Sequence, residues 1–389
     1  MNTRHLATLL AFALLSATAC ATAGTGGQTA APQAQKSAAT PAAVAPSPQA
    51  GGAQAASDQR VFRGNVGDHP ARMTLRRGAG GEVSGSYTYE GRGGELTLKG
   101  SVDAKGNLTL DEFDGAQKTG TFKGQWDEKD YEPEASLSGD WTKPGGGSND
   151  TQSFYFVEQT QTTAAVTTKT VREGSKKQGY SVDAEYPQIA GAEKFNQLAE
   201  AFVNKEVADF KKDAGPEPGE KDTMPEASED SINIRYTVRL LTDEIISVEF
   251  PVDYYEHGAA HGSHAFHVIN YDLKAGRELA LADLFRPGSD YLKKISEVSI
   301  RQLRRWNKDS ADYPGGGGEP YLNDEGIADG AKPDADNFQN WTVTPRGLAV
   351  TFDYYQLGAY AAGAPAVVLP YADLKDVLKA DGPVAPLLK

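Results

Sequence analysis

A single cysteine, Cys20, among 389 residues leaves no partner for an internal disulfide. Long hydrophobic runs are also missing. The run from Leu6 to Leu15 has about half the length that a membrane-spanning helix needs, and no later segment is long and apolar enough. Positive charge is in deficit, 39 Lys and Arg against 53 Asp and Glu. The resulting formal net charge of −14 speaks against nucleic acid or an anionic membrane surface as partner. There is no Gly-x-Ser-x-Gly elbow for nucleophilic hydrolysis. The four glycines from Gly315 to Gly318 lack the lysine and strand context of a phosphate loop, and read as a flexible loop.

What is present begins with MNTRHLATLLAFALLSATAC, a short basic start, an apolar run and small residues before a cysteine. Small residues suit a signal peptidase, and the thiol suits an acyl transferase, so Cys20 is the expected lipidation site and 1–19 the signal peptide. With Cys20 acylated, no thiol remains for catalysis. Ala21 is not the Asp that holds many lipoproteins at the inner membrane. The expected location is the cell envelope, lipid-anchored, facing the periplasm from the outer membrane in a Gram-negative host. From Ala21 to Asp58 the chain is mostly Ala, Gly, Gln, Pro and Ser, with Lys36 the single charged residue before Asp58 and no aromatic residue, a composition that reads as a disordered tether. Its random-coil reach is on the order of 35 Å.

From Gln59 to about residue 158 short alternating strands are separated by Gly, Asp and Asn. An apolar-x-Gly-x-apolar motif recurs at Phe62-Gly64-Val66, Val83-Gly85-Tyr87, Leu98-Gly100-Val102, Phe122-Gly124-Trp126 and Leu137-Gly139-Trp141. Glycine at strand centres allows close backbone approach in a sharply coiled sheet. The pattern predicts about eight antiparallel strands in a small β-barrel or coiled sheet, serving as a packed spacer or a ligand cup.

The rest reads as α+β, making the whole chain β-rich α+β. Phe195, Leu198, Ala199, Phe202, Val203 and Phe210 lie at helical spacing and predict a helix over 192–212 with a core-facing stripe. A second helix is predicted over 290–306, carrying Leu292, Ile295, Leu303 and Trp306 inward. Residues 176–186 read as extended up to Pro187, and further strands are predicted over 232–241, 245–252 and 342–354. The stretch from Asp213 to Asp230 reads as an acidic, solvated loop. Domain boundaries are predicted at 159–250 and 251–389.

Two stretches, DEIISVEFPVDYYEHGAAHGSHAFHVINYDLKAGRELALADLF and NFQNWTVTPRGLAVTFDYYQLGAYAAGAPAVVLPYADL, resemble the paired extracytoplasmic domains of RsiV-type anti-sigma factors and PdaC-type peptidoglycan deacetylases. The resemblance covers roughly 166–378 and departs from the usual pattern at Ala259, where a second glycine is usual, and Ala359, where a proline is usual. It implies an outward-facing binding module, which in RsiV-like proteins binds lysozyme. Anti-sigma activity would need a membrane span and a cytoplasmic segment, and neither is expected here. Deacetylation in PdaC-like proteins belongs to a separate catalytic domain with a metal-binding Asp-Asp pair and an His-x-x-x-His pair. Tyr354 stands after Asp353 where the second Asp would be. His257 and His261 precede Asp353, the reverse of that domain's order.

His257, His261, His264 and His267 nevertheless cluster beside Glu256, and neutral imidazoles there suit zinc, copper or nickel. In a strand His264 and His267 face opposite sides. The candidate metal ligands are therefore His257, His261 and His264. Aromatic pairs near the glycine-rich motifs suit sugar stacking or a protein anchor. The candidate ligand-binding set is Tyr254, Tyr255, His257, Gly258, His261, Gly262, Tyr355, Tyr360 and Gly363, with Tyr354 beside them; no residue is assigned a catalytic role. The reading is a lipid-anchored envelope protein that binds a lysozyme-like protein or peptidoglycan fragment, rather than an enzyme. The alternatives are a metal-dependent enzyme or metal-binding protein using the histidines, and a structural envelope lipoprotein.

Overall fold

The computed structural model describes residues 59–91, 93–147, 150–160, 162–215, 229–311 and 320–388. Cys20, the signal, the tether and Gly315 to Gly318 lie outside the described residues, as does most of the acidic loop.

Eight strands close into an up-and-down antiparallel barrel: β1 (Gln59–Val66), β2 (His69–Arg77), β3 (Glu82–Tyr89), β4 (Leu96–Val102), β5 (Asn107–Asp114), β6 (Gln117–Asp127), β7 (Ser136–Thr142) and β8 (Thr151–Gln159). Each pairs with its sequence neighbour, and β8 returns to β1. The repeated motif places its large residues inside: Phe62, Val66, Val83, Tyr87, Leu98, Val102, Phe122, Trp126 and Leu137 are all buried. Its glycines sit where neighbouring backbones nearly touch. A Cβ added at Gly124 would lie 1.9 Å from the Ser138 carbonyl oxygen, and Gly124 pairs directly with Gly139. The interior is packed with these side chains.

A seven-stranded sheet follows, from β9 (Val166–Ser175), β10 (Tyr180–Ile189), β11 (Asp230–Ile234), β12 (Thr237–Leu241), β13 (Ile245–Tyr255), β14 (Ser263–Asp272) and β15 (Arg277–Glu278). Its order is β15-β14-β13-β11-β10-β9, with β12 paired to β13 and β10 parallel to β11. The crossover between β10 and β11 contains helix α1 (Glu193–Asp213), which buries Phe195, Ala199, Val203 and Val207. Leu198, Phe202 and Phe210 pack against the same core, so the helical stripe behaves as its spacing predicts.

Several predicted boundaries move. Residues 176–178 form a 3-10 turn, and β10 then runs through Pro187, which stays in register with Thr168. The expected strand over 232–241 divides between β11 and β12. β13 passes through residue 250, because Ile245 to Tyr254 pair continuously with β14; the sheet ends only after Glu278.

Beyond it, helix α2 (Tyr291–Ala311) packs on a three-stranded sheet, β16 (Trp341–Val343), β17 (Gly347–Thr351) and β18 (Ala366–Pro370). The strand expected over 342–354 is thus a hairpin. Its turn is closed by Thr344, whose hydroxyl accepts from the Arg346 and Gly347 amides at 3.2 Å each. A buried polar bridge joins the sheets: Ser247 Oγ donates to Asn270 Oδ1 at 2.5 Å, Asn270 Nδ2 to the Trp341 carbonyl at 2.8 Å, and the Val343 amide to Ser247 Oγ at 2.9 Å.

The barrel loop between β6 and β7 docks on this region. Tyr131 is buried, donates to Asp309 Oδ2 at 2.5 Å and accepts the Val368 amide through its carbonyl at 2.8 Å. Arg305 forks onto Asp130 at 2.6 and 2.8 Å. Arg239 is buried between Glu134 of the loop and Glu249 of β13, and Thr351 of β17 donates to Glu249.

Candidate functional site

Most predicted site residues gather at one place. The end of β13, the turn after it, the start of β14 and the segment after β17 form a ledge of stacked rings. His261 stacks on Tyr360 with centroids 4.0 Å apart and 23° between planes, and His264 stacks on Tyr354 at 4.3 Å and 21°. Tyr354 and Tyr355 lie 5.1 and 5.7 Å from the Tyr360 ring.

Hydrogen bonds fix the centre of the stack. His264 Nδ1 is 2.5 Å from Asp253 Oδ1, and its Nε2 is 2.8 Å from the Tyr360 hydroxyl. Asp253 and His264 face each other across β13 and β14, which explains how two exposed-end residues meet. The Tyr354 phenol is raised from its ordinary value by burial and by the nearby Tyr360 and Asp253. It therefore stays protonated and neutral at physiological pH.

Tyr355 is the most exposed large hydrophobic residue of the described chain, at 61%. It is also the one described residue other than glycine with positive φ, 66°. An aromatic residue in the left-handed region costs backbone energy, and such outliers collect at functional sites. Here the strained backbone presents a ring to solvent. The 3-10 turn Tyr360–Ala362 follows, capped by Gly363 at φ 68°. Ala359 has φ −70° and ψ 160°, a backbone that a proline could also adopt.

The other predicted residues support the ledge from behind. The Tyr254 hydroxyl donates to Glu206 on α1 at 2.7 Å, and burial with that carboxylate raises its phenol. Tyr255 donates to the Ala259 carbonyl at 3.1 Å, bracing the turn that Gly258 enters at φ 79°. The Ala259 amide still closes that turn on Glu256, at 2.9 Å, without the second glycine. His261 Nδ1 is 2.8 Å from the Gly262 carbonyl. Gly262 allows close approach, since an added Cβ would sit 2.7 Å from the Tyr254 carbonyl oxygen. The His257 amide donates to Asp230 at 2.7 Å.

His267 points to the opposite face, as strand alternation requires, and stacks on Phe202 of α1 at 4.0 Å and 12°. Burial holds its imidazole below the ordinary value. Among the described residues, no group of three or more His, Cys, Asp or Glu is gathered to hold a metal ion. His257, His261 and His264 are thus not assembled as a ligand set. The β-ladder instead places His264 between Asp253 and Tyr360, which engage both ring nitrogens.

Sequence reasoning did not single out Asp253. A signal for it exists: Asp-Tyr-Tyr occurs at 253–255 and again at 353–355, and the two copies flank the ledge.

A family model described as deacetylase PdaC matches residues 173–264, and one described as a protein of unknown function, DUF3298, matches residues 282–372. Over 187 residues the chain is 27% identical to the peptidoglycan-N-acetylmuramic acid deacetylase PdaC of Bacillus subtilis, covering 48% of this chain and 37% of that protein. The chain therefore spans under two fifths of that relative's length. A solved DUF3298 family structure from Pseudomonas aeruginosa is 15% identical, covering 55% of this chain and 95% of that one, with TM-score 0.38. Another, from Bacteroides fragilis, is 17% identical, covering 59% and 98%, with TM-score 0.41. The ledge lies where the two matched segments meet: Asp253, His261 and His264 come from the first, and Tyr354, Tyr355 and Tyr360 from the second.

Proposed function

We propose that this chain, which carries a PdaC-type segment followed by a DUF3298-type segment, is a cell-wall-related binding protein of the bacterial envelope, tethered through a lipidated Cys20. Its ligand is a lysozyme-like protein or a peptidoglycan-derived fragment, held on the His–Tyr ledge. The observation that carries the reading is Tyr355, an exposed aromatic on a left-handed backbone beside a hydrogen-bonded stack. Rings held rigid before binding lose little conformational entropy on contact, and tyrosine is a preferred anchor for both sugar and protein surfaces. The acidic balance of the chain suits a basic protein partner.

Calorimetry of the full chain with lysozyme and with muropeptides tests this. Binding of either, weakened about tenfold or more by Tyr355→Ala, is the expected result. Absence of heat with both refutes the ligand assignment. For the alternative, a metal-dependent role for His257, His261 and His264, the discriminating measurement is elemental analysis. Stoichiometric metal lost on His261→Ala would favour it.

A further inference from the structure

The two strands that carry the halves of the ledge are tied together near their roots, and a barrel residue reaches that tie. Glu249 lies on the same face of β13 as Asp253, four residues before it, and Thr351 ends β17 three residues before Tyr354. The Thr351 hydroxyl donates to Glu249 Oε1, linking the strand that bears Asp253 to the one that leads into Tyr354, Tyr355 and Tyr360. Both side chains belong to buried residues, Glu249 at 4% and Thr351 at 6% exposure. The other Glu249 oxygen accepts from Arg239 of β12, and Arg239 also donates to Glu134 in the barrel's docking loop.

The backbone is shaped for this chain of contacts. A register shift between β12 and β13 makes Arg239 the extra residue of a bulge, a device that re-aims a side chain. The Thr160 hydroxyl, where the chain leaves the barrel, donates to the Arg239 carbonyl at 3.1 Å. Arg239 holds its place although its Nε has no hydrogen-bond partner among the described residues, which costs free energy. A buried Glu–Arg–Glu triad gains little stability over apolar packing. What it adds is a directional, hydrogen-bonded geometry that apolar contact lacks. The other polar tie between the two sheets, through Ser247, Asn270 and Trp341, contains no barrel residue. The triad thus gives the barrel a route to both ledge strands.

We propose that Glu134 and Arg239 are positioning residues for the ledge. Docking of the barrel, relayed through Glu249 to Thr351, sets how Tyr354 and Tyr360 stack on His264 and His261. The barrel then supports the binding surface rather than only spacing it from the membrane. This rests on the ledge being the binding surface, but the arrangement of its rings is measurable without any ligand.

The test follows the His261 and His264 ring signals by NMR in the full chain, since stacking on Tyr360 and Tyr354 shifts them. Thr351→Val keeps the side-chain shape and removes the donor to Glu249, and Glu134→Gln keeps the shape and removes the barrel's charge. Both should move these signals, and Thr351→Ser should restore them. The double variant should move them no further than the larger single change, because both residues act through one chain. Lys118→Ala, which breaks an exposed barrel ion pair with Asp111, should leave them in place. Should Glu134→Gln fail to fold, Glu134→Asp, which shortens the reach to Arg239, takes its place with the same expectations. Signals unmoved in the folded variants, additive shifts in the double variant, or an equal shift in Lys118→Ala overturn the proposal. Where lysozyme binds the chain, Glu134→Gln should weaken binding about 2- to 30-fold, and unchanged affinity also overturns it. Lack of lysozyme binding counts against the ligand reading alone, and the ring signals still decide this one.

Discussion

The barrel is assembled from neighbours in sequence, whereas the ledge joins His264 to a tyrosine 96 positions later. In the barrel, only the closure of β8 on β1 spans the domain. Its strands can be placed by alternation and its tight approaches by the recurring glycines. The ledge has no such local logic. It needs the β13–β14 ladder to set Asp253 against His264, and the three-stranded sheet to bring in Tyr354, Tyr355 and Tyr360. Stability in the first region is written residue by residue. The candidate binding surface in the second exists only when two separately patterned segments dock.

The sharpest way to break this contrast is at Arg239, which joins the regions. Arg239→Ala would leave Glu134 and Glu249 facing each other without their shared cation, at a cost of about 3–5 kcal/mol. Chemical denaturation should show that loss, with barrel and module separating into two transitions. Gly124→Val tests the barrel alone. Backbone crowding against Ser138 should cost about 3 kcal/mol. The ledge's NMR signals should persist until the barrel unfolds.

His264→Ala reverses the emphasis. It removes two hydrogen bonds and a ring stack at a partly exposed site, so a loss of about 1–2 kcal/mol is expected. Ligand affinity should fall much more than stability. Glu132, in the docking loop, supplies a pH probe of the joint. Burial, with Asp127 nearby, raises its carboxyl from 4.5 to about 6, against the pull of Lys129. The folded state then holds the proton to higher pH than the unfolded one. This contribution to stability is present below pH 4.5 and is lost as pH rises through 6. Partial solvent screening reduces it to about 1 kcal/mol. Glu132→Gln should flatten the stability profile across that window. The smallest expected change is Tyr355→Gly, which relieves the left-handed backbone and should stabilise by about 0.5 kcal/mol while removing the ledge's exposed ring. A thermal melt and a binding titration on the same sample would show the two effects moving oppositely.

Much of the fold was readable before the structure. The helical stripe from Phe195 to Phe210 and the five glycine motifs predicted their elements because both periodicities arise from backbone geometry alone. The predicted strand over 342–354 failed because Thr344, Pro345 and Arg346 make a turn inside an otherwise apolar run. The boundary expected at residue 250 falls inside β13, whose pairing continues to Tyr254, and pairing depends on a partner strand. In the ledge, the aromatic and histidine residues were visible as types. Their partners were not: the histidines cluster in sequence, but the β-ladder turns His267 onto Phe202 and His264 toward Asp253.

The sequence by itself determined a β-rich α+β chain, the strands of an eight-stranded barrel and the apolar faces of two helices. These follow from side-chain periodicity and from where glycine permits close approach, both local properties. Only the tertiary structure decided that His261, His264, Tyr354, Tyr355 and Tyr360 form one surface with Asp253 as the carboxylate partner of His264. Contacts across some hundred residues depend on strand pairing and sheet docking, and neither leaves a periodic trace in the chain.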